Sequence, residues 1–155
     1  KVYVPLFDKT LELTISTDED ESPGKKERAV WQQFIANQTQ LKPLLEKIIF
    51  NYYNHYLEEL RMPYSPEEEE EFAPTLEQPS EVWSIIKPLY LGIDVDEDDI
   101  TMLSIEFWAK WDEEHGLDIV FRGKQIGIAD AGAHWLDHDR YTLKGKLLHL
   151  GGEEE

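Results

Sequence analysis

Between Ile105 and Asp130 the chain can be folded back on itself twice, and each fold can be tested against its own side chains. Taking Asp112-Glu113-Glu114-His115-Gly116 as a five-residue loop sets Trp111 opposite Leu117 in an antiparallel ladder. One face then gathers Ile105, Phe107, Ala109 and Trp111 with Leu117, Ile119 and Phe121. The other pairs Lys110 with Asp118 and Glu106 with Arg122, both opposite in sign. A slip of one residue would bury these charges and expose the apolar set, so the pattern resists it. The next turn, Arg122-Gly123-Lys124-Gln125, has glycine at the first central position, as a type II′ hairpin requires. Phe121 then faces Ile126, and Ile119 faces Ile128. Three strands share one apolar face, and Trp108 and Val120 form an adjacent pair on the other.

The N-terminus reads as a second hairpin. Val2, Val4 and Leu6 alternate, Asp8-Lys9 can turn, and Leu11, Leu13 and Ile15 alternate back, so that Leu6 faces Leu11, Val4 faces Leu13 and Val2 faces Ile15. Pro5 puts the first strand at an edge. After an acidic loop from Thr17 to Gly24, Val30/Phe34 and Trp31/Ile35 give one helical stripe over Lys25 to Asn37. Thr39 can cap a second helix, with Leu41, Leu45, Ile48, Ile49, Tyr52 and Tyr56 at helical spacing to about Leu60 and Pro43 tolerated in its first turn. Arg61 to Pro79, with four prolines and the run Glu67 to Glu71, reads as an exposed loop. Ser80 can cap a short helix ending before Pro88. Leu89, Leu91, Ile93 and Val95 then alternate into a strand, and Asp96 to Asp98 turns it toward Thr101 to Trp111. The expected class is α+β: an antiparallel sheet of about six strands, made of the N-terminal hairpin and the C-terminal meander, with two main helices and one short helix on one face.

Residues 1–155 read as one domain, since 41% hydrophobic residues at this length suffice for a core. Without cysteine there can be no disulfide, thiolate metal site or cysteine nucleophile. No apolar run is long enough to span a bilayer and no leader pattern opens the chain, so no membrane role and a cytoplasmic setting are expected. The net charge of −18 repels phosphate backbones, which argues against nucleic acid; it leaves a basic protein partner or a cation open, although such a charge more simply keeps a chain in solution with no partner.

Four constellations could carry chemistry. Asp94, Asp96 and Asp98 alternate as in a calcium loop, but an EF-hand needs glycine and glutamate where this chain has Asp99 and Ile105, so that motif is rejected. Asp112, Glu113, Glu114 and His115 could offer a cation site or an acid-base pair, yet a structural turn accounts for them better, with Gly116 at positive φ and Asp112 bonding the loop backbone. His134 and His138, with Asp137 and Asp139 beside them, have the spacing of two zinc ligands on a helix face, but no H-E-x-x-H pattern accompanies them. Trp108 with Val120, opposite the apolar stripe, is the candidate interface patch.

Taken together, FWAKWDEEHGLDIVFRGKQIGIADAG, the N-terminal hairpin and the paired-helix region ending in NYYNHYLEEL resemble a family of small bacterial single-domain proteins of unknown function. The family's tract reads W-D-E-E-H-G-L-G-V. Trp111 to Leu117 fit it, while Asp118 replaces its second glycine and the stretch from His134 onward departs from it. The resemblance implies an α+β domain and transfers no catalytic residue or cofactor. Two function classes stand, and the first leads because the sequence holds no nucleophile elbow, P-loop or dinucleotide fingerprint. One is a non-enzymatic, acidic protein-binding module, immunity-like in form, that meets a basic partner. The other is a metal-dependent hydrolase built on the acidic turn or the His134/His138 pair.

Overall fold

The computed structural model describes residues 1–15, 25–95, 101–122, 125–130 and 134–135. Its strands are β1 (Val2–Val4), β2 (Lys9–Ile15), β3 (Ile86–Val95), β4 (Thr101–Ala109), β5 (Asp112–Arg122), β6 (Gln125–Asp130) and β7 (His134–Trp135). Helices α1 (Lys25–Ala36), α2 (Gln38–His55), α3 (Leu57–Arg61) and α4 (Glu69–Phe72), then a 3-10 turn at Pro79–Ser84, fill the span between β2 and β3. The class is α+β, as expected, but the sheet is not wholly antiparallel. Its seven described strands lie in chain order, and β2 pairs with β3 in parallel, Leu13 beside Leu91 and Ile15 beside Ile93. The helical span is therefore a crossover that returns the chain in the same direction, as a parallel pair demands.

One apolar cluster joins the helices to one face of this sheet. Val30 and Phe34 of α1 and Leu41, Leu45, Ile49 and Tyr52 of α2 are buried with Leu91 and Ile93 of β3, Leu103, Ile105 and Phe107 of β4, and Leu117, Ile119 and Phe121 of β5. Period 3.6 on the helices and period 2 on the strands put these residues on facing surfaces, and their removal from water is the main driving term for the fold. Alternate strand residues, Tyr90, Glu106, Trp108 and Asp118 among them, point to the other face and do not belong to the cluster.

Two of the three expected hairpin registers are displaced by four residues. In the first, Val4 pairs with Lys9 rather than Leu13, and Val2 with Leu11 rather than Ile15. Pro5 has no N–H to continue a ladder, so the chain turns at once, with Phe7 N–H donating to the Val4 carbonyl (3.0 Å) and Asp8 N–H to that of Pro5 (3.1 Å). Asp8 takes the left-handed conformation this demands, at φ 51°. In the second, Leu117 faces Phe107 rather than Trp111, and Phe121 faces Leu103. The turn is Lys110-Trp111, closed by Ala109 opposite Asp112, while Glu113 to Gly116 bulge out of β5. The third register stands as expected, with Phe121 opposite Ile126 and Ile119 opposite Ile128.

A displacement by an even number leaves every side chain on its own face, so the apolar pattern cannot detect it. What decides the matter lies elsewhere in the chain. Lys110 N–H donates to the Ile85 carbonyl (2.8 Å), Tyr64 O–H to the Trp111 carbonyl (2.6 Å), and the Trp111 ring packs 5.2 Å from that of Tyr53. These anchors hold Lys110-Trp111 as the turn.

The span from Arg61 to Pro79 is likewise more than an exposed loop. Arg61 donates to the Ala73 carbonyl from Nε (3.0 Å) and Nη2 (2.9 Å) and pairs with Glu70 (3.0 Å), and Tyr53 O–H donates to the Pro74 carbonyl (2.6 Å). Ala73 and Leu76 are buried. Element ends shift as well. Asn37 and not Thr39 precedes α2, and the 3-10 turn starts at Pro79, where Gln78 N–H donates to Glu81 Oε1 (2.7 Å) instead of a cap at Ser80. A bulge between Pro88 and Tyr90 leaves Leu89 48% exposed, outside the apolar stripe in which its alternation placed it.

Candidate functional site

The face of the sheet turned away from the helices carries a row of four acceptors and donors. Glu12 of β2, Tyr90 of β3, Glu106 of β4 and Asp118 of β5 are successive cross-strand partners. Two carboxylates thus stand directly opposite each other, an arrangement that is normally unfavourable. No cation stands next to the pair in this row, which is flanked by Tyr90 on one side and Ala129 on the other. Asp118 is half-buried, and burial together with the charge of Glu106 pushes its carboxyl up to about 6. Tyr90 donates its O–H to Glu106, and that bond, with desolvation and the Glu106 charge, pushes the phenol up to about 12.

Beside this row the surface is apolar and aromatic. Tyr90 is 44% exposed and the bulged Leu89 lies next to it. Trp108, half-buried on the same face, is covered in part by Lys87, whose Nζ lies 5.2 Å from the ring centroid. The row beyond Glu106 is small: Gly92, Ser104 and Val120 face one another, and a Cβ on Gly92 would come within 3.0 Å of Ser104 Oγ. Trp108 and Val120 are therefore on one face but not adjacent, since Val120 lies opposite Ser104, four residues along β4.

The acidic tract is held by its own backbone. Asp112 Oδ1 accepts the His115 N–H (3.2 Å), the His115 ring nitrogen Nδ1 lies 3.1 Å from Asp112 Oδ2, and Gly116 has φ 72°. Glu113 and Glu114 point to solvent. Among the described residues no three carboxylate or imidazole groups converge as a metal site would need. His134 enters β7 as a strand residue paired with Asp130, not as part of a helix, while Asp137, His138 and Asp139 lie outside the described residues, as do Asp96, Asp98 and Asp99.

The model of a family described as "Domain of unknown function (DUF6985)" matches residues 1–133. The chain belongs to that family. The resemblance to a family without an assigned activity is thereby borne out. A comparison with curated proteins found no match, and neither did one with solved structures. This DUF6985 domain has no described helix long and apolar enough to cross a membrane. Reasoning from sequence missed the Glu106/Asp118 pair because its register gave each acid a cation. A signal was present: if Leu91 and Ile93 face the core, Tyr90 must face the other way.

Proposed function

We propose that this DUF6985 domain is a non-enzymatic protein-binding module that receives a basic side chain of a partner protein between Glu106 and Asp118 on the outer face of its sheet. The observation that carries the reading is the like-charged pair itself. Two opposed carboxylates cost the free domain stability, and a lysine or arginine placed between them converts that repulsion into two charge-assisted contacts. The rings of Tyr90 and Trp108, with the exposed Leu89, supply the apolar surround that anchors interfaces, and the charge of −18 steers a basic partner toward the domain. A cytoplasmic, immunity-like neutraliser of a basic bacterial protein is one form such a module takes.

Calorimetric titration with an arginine-rich peptide tests the proposal. Glu106→Gln with Asp118→Asn is expected to weaken binding about tenfold or more, whereas Glu58→Gln with Glu59→Gln, on the far helix α3, is expected to change it less than about twofold. Equal losses from the two double variants would show only general attraction to an acidic chain and would remove the proposed site.

A further inference from the structure

Where the β1–β2 turn, the first turns of α2, the 3-10 turn and the start of β3 meet, there is a recess of about 350 Å³. It is of a size used for small ligands, toward the lower end of that range. Its apolar walls include Phe7, Trp83 and Ile86, and three lysines from three different elements, Lys9, Lys42 and Lys87, stand on its lining. In a chain with 33 acidic and 15 basic side chains, this local reversal of charge is the unusual feature. At physiological ionic strength charges are screened over about 8 Å, so a ligand inside the recess responds mainly to the charges beside it, which are these lysines and the Glu46 carboxylate that accepts from Trp83.

The walls are fixed in advance of any ligand. Trp83 donates its indole N–H to Glu46 Oε2 (2.5 Å), and its ring meets Phe7 edge-on at 5.7 Å. Phe7 in turn meets Phe107 of the core at 5.8 Å. The β1–β2 turn is tied to α2 because the Leu6 N–H donates to Oε1 of the buried Gln38 (2.5 Å). A preformed aromatic recess loses little freedom when filled. Lys9 and Lys42 are exposed, and among the described residues no carboxylate forms an ion pair with either. Their ammonium groups are free to close on an anion at the mouth.

We infer that this recess binds a small organic anion with a flat apolar body, of the aromatic carboxylate class, the ring lying against Phe7 and Trp83 and the carboxylate meeting Lys9 and Lys42. This is a second site, distinct from the Glu106/Asp118 pair, with Lys87 bordering both the recess and Trp108.

Calorimetry of the full chain with 2-naphthoate, and with 2-naphthalenemethanol as its uncharged counterpart, separates the two halves of the inference. The acid is expected to bind at one site per chain and the alcohol about tenfold more weakly. Lys9→Gln with Lys42→Gln should weaken the acid about tenfold and leave the alcohol unchanged. Trp83→Leu should weaken both, with far-UV circular dichroism checking that the variant is folded. Glu106→Gln with Asp118→Asn should leave naphthoate binding intact, so failure of the outer-face reading does not touch this one. Equal affinity for acid and alcohol, indifference to loss of the two lysines, or no binding heat from either compound at millimolar concentration overturns the inference.

Discussion

At the scale of single residues, Gly116 and Asp118 stand two apart in β5 and are constrained for different reasons. Gly116 sits at φ 72°, and a Cβ built on it would lie 2.3 Å from the Phe107 carbonyl oxygen. Backbone strain and a clash with main chain therefore add, and Gly116→Ala is expected to cost at least about 3 kcal/mol in urea unfolding. A loss under about 1 kcal/mol would mean that the bulge can re-form with a side chain in it. A glycine after an acidic run made the positive φ legible in the sequence. The close approach to Phe107 was not, because it depends on which strand residue stands opposite. For Asp118 the sign of the pH dependence follows from a carboxyl raised from 3.8 to about 6 by burial and by Glu106. The folded state holds this proton more tightly than the unfolded one, so its contribution is fully present below the unfolded value and is lost as pH rises through about 6. Asp118→Asn should accordingly stabilise the domain by about 1 kcal/mol at pH 7 to 8, discounted for partial exposure, and the gain should vanish in melts near pH 4. A gain independent of pH would point to packing instead of charge.

At the scale of elements, the faces of the strands were legible and their partners were not. Period 2 assigns Ile105, Phe107, Ile119 and Phe121 to one side whatever the register. The four-residue displacement preserves that assignment while exchanging Glu106–Arg122 for Glu106–Asp118. Likewise Leu13 and Ile15 alternate identically whether their neighbour is β1 or β3, so the parallel pairing had no local signature. What settles β4 and β5 is the hold on Lys110-Trp111 by Ile85, Tyr64 and Tyr53, residues far off in sequence. A chain without cysteine allows a direct check of register. Ser104→Cys with Val120→Cys joins facing residues and should oxidise to an intramolecular disulfide, seen as loss of free thiol in the intact mass. Trp108→Cys with Val120→Cys, the pair adjacent under the displaced register, should stay reduced, since four strand residues separate the positions by about 13 Å. The reverse outcome would restore the register with Asp112 to Gly116 as the loop.

At the scale of the whole molecule, the sheet divides the chemistry. One face is spent on the core with the helices. The other is left with an aromatic, acidic surface, and the lysine-lined recess lies at the margin between β1, α2 and β3. The net charge was legible from composition alone, but its distribution was not, since neither the three lysines nor the two carboxylates are neighbours in sequence. The central claim is that the Glu106/Asp118 pair is set for a cation from outside. Carbon-13 NMR titration of the Asp118 carboxyl, alone and with saturating arginine-rich peptide, tests it most directly, because an adjacent positive charge must favour the ionised form. The expected result is a midpoint near 6 in the free domain that falls by one pH unit or more when the peptide is bound. A midpoint that does not move while the peptide is demonstrably bound would contradict the account.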